Sequence, residues 1–180
     1  MAHQHKGKSS EHFLNKDNIL RELNIIEGQT IVDAGCGNGY MAKAFSGMLN
    51  NRGKVFAIDP DKNAIDRLKN EVKGTNIEII EADITQPIPV KESSVDLIYL
   101  STVFHGFSET QIDGFQKEAK RLLKSGGRLA VIEIKKQNMP FGPPMEIRFS
   151  PEELKQKMDL VPVNLVEVGE YFYMQIFENR

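Results

Sequence analysis

The stretch that decides the fold is Ile31-Val32-Asp33-Ala34-Gly35-Cys36-Gly37-Asn38-Gly39, in which an apolar, β-branched run leads directly into a glycine-rich turn. A helical pattern follows the turn from Tyr40 to Leu49. Glycines between a strand and a helix allow the backbone to approach a ligand closely. The stretch therefore predicts the first strand, loop and helix of an α/β domain, with a ligand at the loop.

Further apolar, β-branched segments follow this stretch at intervals, separated by helical patterns. The predicted strands are Thr30–Asp33, Lys54–Asp59, Ile77–Glu81, Val95–Leu100 and Arg128–Ile134, and the predicted helices between them are Tyr40–Leu49, Asp61–Val72 and Ser108–Leu123, the last ending before Lys124-Ser125-Gly126-Gly127. Parallel strands need crossover connections of this length. The alternation predicts a mostly parallel, Rossmann-like sheet with helices on both faces.

The two ends of the chain carry other signals. A helix is predicted over Glu11–Leu23, with a break between Asn15 and Asn18. Near the other end, Ser150 and Pro151 predict the start of a helix that runs to about Met158. Two strands then predict a C-terminal antiparallel hairpin that turns at Gly169-Glu170; they are Val163–Val168 and Tyr171–Phe177.

Length and composition predict one α/β domain, residues 11–180, behind a mobile polar tail, residues 1–10. Apolar residues make up 40% of the chain, charged residues make up 27%, and the polar N-terminus does not resemble a secretory signal. The single cysteine, Cys36, excludes an intramolecular disulfide. These features predict a cytoplasmic protein without membrane insertion. The net charge of −2 does not favour nucleic acid, and a homodimer stays an open alternative.

Asp33, just before the glycine turn, bears on the kind of ligand. The turn has the spacing G-x-G-x-G, through Gly35, Gly37 and Gly39, rather than the dinucleotide spacing G-x-G-x-x-G. A carboxylate here would repel a pyrophosphate and attract an ammonium group. The pattern favours S-adenosylmethionine, which carries an α-amino group, over NAD. Asp33 can also cap the turn, and the two roles are compatible.

Two more acidic residues stand at strand ends. Asp59, before Pro60, ends the second predicted strand, where a carboxylate can accept hydrogen bonds from ribose hydroxyls. Asp83 follows the third strand, where its carboxylate can accept a hydrogen bond from the exocyclic amine of adenine, with Ile84 against the ring. Each aspartate can instead be only a turn former. Together with Asp33 they would lie at the carboxyl edge of the sheet, where open α/β folds bind ligands.

The sequence resembles the class I S-adenosylmethionine-dependent methyltransferases, and within them the ubiquinone/menaquinone-biosynthesis group. The matching segments span roughly residues 25 to 135; they are Val32–Gly39, Ala57–Pro60, Ala82–Ile84, Ser94–Ile98 and Leu122–Leu129. The resemblance implies a seven-stranded sheet, the glycine loop beside the methionine part, ribose at Asp59, and adenine at Asp83 and Ile84. It also places the segment after the fourth strand, including Ser101, beside the cofactor.

His105, in that same segment, is the candidate catalytic residue. A base of near-neutral pKa assists methylation of a hydroxyl, a thiol or an acidic carbon. A histidine in a strand-to-helix loop can equally be a packing or capping residue. The acceptor is predicted to be a small apolar or aromatic molecule, in a pocket formed by the N-terminal helix around Phe13 and Leu14, the His105 loop and Met139–Met145. The last of these segments can instead be a surface loop.

Several other activities are disfavoured by missing residues. The N-P-P-Y motif of methyltransferases that act on exocyclic amines is absent after the fourth strand, and one cysteine is too few for arsenite methylation. A nicotinamide-dependent reductase of the short-chain kind would need Tyr-x-x-x-Lys, which the chain lacks. A non-catalytic module that binds S-adenosylmethionine stays open. His3, His5 and His12 favour a solvated tail over a metal patch, so no metal is predicted.

Overall fold

The computed structural model describes residues 10–180, and in them seven strands form one sheet in the order β3-β2-β1-β4-β5-β7-β6. The strands are β1 (Thr30–Ala34), β2 (Lys54–Asp59), β3 (Ile77–Glu81), β4 (Val95–Ser101), β5 (Leu123–Ile134), β6 (Val161–Gly169) and β7 (Phe172–Glu178). Strands β1 to β5 pair in parallel, whereas β7 is antiparallel to both β5 and β6. The predicted mostly parallel sheet with a C-terminal hairpin is confirmed.

Helices cover both faces of the sheet, as predicted. The α-helices are α1 (Lys16–Leu23), α2 (Tyr40–Met48), α3 (Lys62–Glu71), α4 (Glu109–Leu122) and α5 (Pro151–Lys157). Neighbouring strand residues point to opposite faces, so Ile31 packs with α1 to α3 while Val32 packs with α4 and α5. Phe45 fills the first core and Phe115 the second, and both are fully buried. The two cores leave the carboxyl ends of the parallel strands as the edge at which a site can form.

Side-chain caps explain where two of these helices begin. The Ser108 hydroxyl accepts the Gln111 N–H at the start of α4, and the Gln111 side chain accepts the Ser108 N–H in return. Ser150 and Glu153 form the same reciprocal pair at the start of α5, with Pro151 at the first helical position. Each pair satisfies N–H groups that the helix itself cannot. The predicted start of α5 at Ser150 is confirmed.

The N-terminal region differs from the single interrupted helix predicted over Glu11–Leu23. A short 3-10 helix spans Ser10–Phe13, and α1 begins separately at Lys16. The Asn15 side chain accepts the Asn18 N–H, so Asn15 caps a new helix. The chain therefore bends at Asn15, the first residue of the predicted break.

Two other boundaries also differ from the sequence prediction. Strand β6 extends through Gly169, which pairs with Phe172, so the turn lies at Glu170 and Tyr171. Helix α4 does end at Leu122, but the following residues 123–127 belong to β5, where the pairing with β4 shifts register. The start of β5 is therefore irregular. In the sequence, Gly126 and Gly127 predict a loop here, because a glycine pair looks the same in a loop and in an irregular strand start.

The predicted mobile tail lies outside the described residues except for Ser10, and its mobility stays a prediction. The same holds for His3 and His5, while His12 is exposed. Within residues 10–180 no group of three or more histidine, cysteine or acidic side chains is arranged to hold a metal ion. No helix in that range is long and apolar enough to cross a bilayer. The cytoplasmic location stays a prediction.

Candidate active site

Strand order brings the three predicted acidic residues to one edge of the sheet. Strand β1 lies between β2 and β4, and β3 lies outside β2. Asp33 is the fourth residue of β1, Asp59 ends β2, and Asp83 follows β3 by two residues. All three strands are parallel, so these aspartates stand at the same carboxyl edge.

The glycine loop has a backbone conformation that requires glycine. Gly35, Gly37 and Gly39 have φ values of 71°, 51° and 72°, in the left-handed region. The Gly35 N–H donates to the Ile58 carbonyl at 2.8 Å, and a Cβ on Gly35 would lie 2.7 Å from the Val103 side chain. A Cβ on Gly37 would meet no atom within 4 Å. The loop is therefore packed tightly at Gly35 and opens onto free space at Gly37, where a ligand can lie.

Asp33 is buried beside this loop with an unsatisfied oxygen. Its side chain is 3% exposed, and within the described residues its Oδ2 atom has no hydrogen-bond partner. Burial raises the pKa of Asp33 to about 7; the Ala42 N–H acts to lower it, and the negative charge of Asp59 adds to the rise. The hydroxyl of Tyr99, paired in register on β4, is also buried, and no group within residues 10–180 lies at hydrogen-bonding geometry to it. This pair of buried acceptor groups suits the ammonium group of a ligand.

Asp59 is connected to the glycine loop itself. Its Oδ2 atom accepts the Gly37 N–H at 2.9 Å, and its Oδ1 atom accepts the Asp61 N–H at 2.8 Å. A carboxylate offers about four lone-pair sites, so each oxygen can accept a further hydrogen bond from a hydroxyl. Asp59 is partly exposed, and Pro60 beside it is exposed. The hydrogen bond to Gly37 was not predicted, and it makes Asp59 a support for the loop as well as a candidate ribose ligand.

The remaining predicted cofactor residues lie on either side of this pair. The Asp83 Oδ1 atom accepts both the N–H and the hydroxyl of Thr85, at 2.9 and 2.7 Å, so Asp83 does form a turn. Ile84 is 4% exposed and belongs to the core beneath α4. Ser101 ends β4, partly buried, on the same face as Tyr99. Contacts of these residues with adenine or the cofactor stay predictions.

His105 forms a buried pair with a residue that the sequence analysis missed. The 3-10 helix Phe104–Gly106 follows β4 and directs the His105 ring toward Glu133 of β5. The His105 Nδ1 and Glu133 Oε2 atoms are 2.7 Å apart, and Glu133 Oε1 accepts the His105 N–H at 3.2 Å. The side chains are 7% and 0% exposed. The available signal for Glu133 was an acidic residue within the otherwise apolar run Leu129–Ile134.

The pKa of His105 reflects opposing effects. Burial acts to lower it, but the hydrogen bond and the negative charge of Glu133 together outweigh burial, and the nearby positive charge of Arg148 opposes them only in part. The pKa of His105 therefore lies above its ordinary value of 6.5. A histidine oriented through Nδ1 by a buried carboxylate is the arrangement of a general base that acts through Nε2.

Arg148 fixes the loop that folds over this end of β5. Its guanidinium donates to the carbonyl oxygens of Gln137, Phe141 and Pro143, at 2.7, 3.0 and 2.8 Å. Arg148 is only 5% exposed. Its charge is satisfied entirely by backbone oxygens of one loop, so the proline- and glycine-rich segment has a defined shape although it contains little regular structure.

Aromatic contacts join that loop to the N-terminal region. The rings of Phe13 and Phe141 stack with centroids 5.1 Å apart, and Phe141 meets the Tyr171 ring edge-on at 4.9 Å. Phe13 is still 49% exposed. Two of the three segments predicted to form an acceptor pocket are thus in contact. Their role in acceptor binding stays a prediction.

Comparison with known proteins bears on the family and the fold. Residues 31–127, more than half of the chain, match the family described as "Methyltransferase domain". A ubiquinone/menaquinone biosynthesis C-methyltransferase from Hahella chejuensis is 29% identical over 133 residues, which are 72% of this chain and 52% of the relative. A probable cobalt-precorrin-6B C(15)-methyltransferase from Sulfurisphaera tokodaii is 28% identical over 118 residues, 64% of this chain and 58% of the relative. The chain thus spans little more than half the length of these relatives.

A solved structure matches almost the whole fold. The crystal structure of a SAM-dependent methyltransferase from Aquifex aeolicus superposes with a TM-score of 0.86 at 28% identity, covering 97% of this chain and 94% of that one. These findings favour S-adenosylmethionine over a nicotinamide dinucleotide as the ligand of the glycine loop. The chain belongs to the methyltransferase-domain family and has the fold of a class I S-adenosylmethionine-dependent methyltransferase.

Proposed function

We propose that the enzyme methylates an acidic carbon or a hydroxyl of a small apolar or aromatic molecule, with His105 as the base. The observation that carries this proposal is the buried pair of His105 and Glu133, with 2.7 Å between Nδ1 and Oε2. The names of the two curated relatives above give carbon as the atom they methylate. Methylation at carbon or hydroxyl removes a proton from the acceptor, and a buried base can accept that proton.

The residues of the glycine loop fit the cofactor. Gly37 faces open space, and the unsatisfied Oδ2 atom of Asp33 suits the cofactor's amino group. Asp59 and Pro60 would lie at the ribose, and Asp83 and Ile84 at the adenine, with Ser101 between adenosine and acceptor. When bound, S-adenosylmethionine supplies a methyl group on a positively charged sulfur that is already a good leaving group.

His105 would take the acceptor proton at Nε2 while Glu133 holds Nδ1. The imidazolium that forms is stabilised by the buried Glu133 carboxylate, which is the effect that raises the pKa of His105. Alignment of the acceptor in a site that excludes water supplies the rest of the rate. Glu133 is then a positioning residue, because it acts on the acceptor only through His105.

An apolar acceptor surface is supported by a group of aromatic side chains. Phe13, Phe141 and Tyr171 form one contacting group, and Arg148 holds the loop that carries Phe141. Aromatic groups of this kind bind flat apolar molecules. We propose a small-molecule acceptor on this basis; the absence of a nucleic-acid partner and the homodimer remain predictions.

The test is incubation with methyl-labelled S-adenosylmethionine and a panel of phenols, quinols, enolisable ketones and, as a contrast, primary amines. Labelled product from a phenol, quinol or ketone, detected by mass spectrometry, is the expected outcome. His105→Ala should slow turnover about 100-fold or more while S-adenosylhomocysteine binds as tightly as before. Methylation confined to amines, or a His105→Ala enzyme as fast as wild type, would contradict the proposal.

The pH profile separates a base from a packing residue. His105 accepts a proton only when neutral, so wild-type kcat should rise with pH through a midpoint above 6.5. In Glu133→Gln the carboxylate charge is lost and burial dominates, so this midpoint should move to lower pH and the plateau rate should fall. If kcat falls with an unchanged midpoint, Glu133 is only a structural support.

A further inference from the structure

A lysine from the N-terminal helix lies beside the residue that follows the glycine loop. The Lys16 Nζ atom is 5.4 Å from the centroid of the Tyr40 ring, and Tyr40 directly follows Gly39. The Tyr40 ring packs at the edge of the core that also contains Tyr99, and the charges of Asp33 and Tyr40 both affect the pKa of Tyr99, which burial raises. A chain of neighbours therefore leads from Lys16 through Tyr40 to the buried Asp33.

The positive charge of Lys16 has an aromatic contact but no acidic partner among the described residues. In the part of the chain that the structure describes, Lys16 makes no ion pair, whereas Lys43, on the helix that follows the loop, pairs with Glu71 at 2.8 Å. Lys16 is the first residue of α1, and a cation at a helix N-terminus is disfavoured by the helix dipole. Lys16 is also only partly exposed. An anion bound beside Tyr40 would balance the charge of Lys16 and reduce its unfavourable interaction with the helix dipole.

We propose that Lys16 binds the carboxylate of the cofactor's methionine portion. That portion is a zwitterion, and the protein offers a carboxylate before the loop, at Asp33, and an ammonium group beside Tyr40, which follows the loop. Asp33 is the acidic group for the ammonium, and Lys16 is the basic group for the carboxylate. The inference rests on the cofactor placement proposed above, and it makes α1 part of the cofactor site rather than of the acceptor pocket alone.

The experiment measures affinity by calorimetry for three ligands. S-adenosylhomocysteine carries both charged groups, its decarboxylated analogue keeps only the amine, and 5′-methylthioadenosine has neither. Lys16→Gln should lower the affinity for S-adenosylhomocysteine about tenfold, which is the effect of losing one charge-assisted hydrogen bond. The affinities for the other two ligands should not change. Lys16→Arg should recover most of the loss. Lys43→Gln, a matched lysine variant on α2, should bind all three ligands like wild type.

The outcomes separate this inference from the cofactor placement. If Lys16→Gln binds S-adenosylhomocysteine like wild type while Asp33→Asn weakens it, the cofactor lies as proposed and the inference about Lys16 is wrong. If Lys16→Gln weakens all three ligands equally, Lys16 supports the fold instead of the carboxylate. If neither variant affects any ligand, the placement of the methionine portion at the glycine loop fails as well.

Discussion

The proposed cofactor side and the proposed acceptor side of this site are built differently. On the cofactor side, Asp59 and Asp83 accept hydrogen bonds from groups two residues ahead in the chain, Asp61 and Thr85, and Asp59 also accepts the N–H of Gly37 in the glycine loop. On the acceptor side, His105 is paired with Glu133, which lies 28 residues away. Short-range contacts can be recognised from a sequence motif. The long-range contact between His105 and Glu133 forms only when β4 and β5 lie side by side. The two sides should therefore respond to substitution independently.

The largest expected effect is on the acceptor side alone. In Arg148→Met, three loop carbonyls lose charged donors, so the free energy of unfolding should fall on the order of 3 kcal/mol, with water replacing part of what is lost. Urea unfolding measures the change. The loop should also become sensitive to limited proteolysis between residues 137 and 147, while affinity for S-adenosylhomocysteine stays at the wild-type value.

The matched control is Lys155→Met, which removes a positive charge from the last turn of α5 and should leave both stability and proteolysis unchanged. If Arg148→Met weakens the cofactor as strongly as it loosens the loop, the two sides are coupled. The proposed independence of the two halves would then be wrong.

The next effect belongs to the cofactor side. Asp59→Ala should weaken S-adenosylhomocysteine by on the order of 1–3 kcal/mol, because a charged hydrogen-bond acceptor and the support of the Gly37 N–H are lost together. Calorimetry measures the affinity. Asp61→Ala is the control, since it removes the N-cap of α3 and should lower stability without changing affinity. Equal affinity in Asp59→Ala and wild type would remove Asp59 from the site.

A smaller, pH-dependent effect is expected from Asp33. Its pKa is raised from 3.8 to about 7, so its contribution to folding is fully present below pH 3.8 and is lost as pH rises through about 7. Asp33→Asn should therefore be more stable than wild type above pH 7 when no ligand is bound. Thermal unfolding at pH 6 and pH 8 measures this difference.

The same titration governs ligand binding. The cofactor's ammonium group needs the charged carboxylate, so wild-type affinity for S-adenosylhomocysteine should fall up to about tenfold per pH unit below 7. Binding near pH 6.5 should release a proton, which calorimetry in buffers of different ionisation enthalpy detects. Asp33→Asn should bind weakly at every pH. An affinity equal at pH 6 and pH 8 in wild type would show that Asp33 does not ionise on binding.

The division between the two sides also sets what the sequence could predict. Strand β2 and strand β3 match their predicted bounds because a run of apolar, β-branched residues is a local signal. Glu133 and Arg148 were missed because nothing near them in the sequence specifies their partners. Lys16 was missed for the same reason, since Tyr40 reaches it only through the packing of α1 on the sheet.

The smallest expected effect lies where the two sides meet, at Thr102. This β-branched residue has a φ of 57°, a conformation that costs on the order of 1–3 kcal/mol outside glycine. Thr102→Gly removes the strain but gains about 0.5–1 kcal/mol of unfolded-state entropy, so stability should rise by about 1 kcal/mol. Because Thr102 separates Ser101 from the His105 loop, kcat should fall severalfold as the loop loosens.

Ser93→Gly, at a φ of 49° before β4, is the matched control, and it should raise stability with kcat unchanged. A loss of stability in Thr102→Gly would mean that the contacts of the Thr102 side chain outweigh the backbone strain. An equal kcat in Thr102→Gly and Ser93→Gly would mean that the strained backbone at Thr102 has no part in positioning His105.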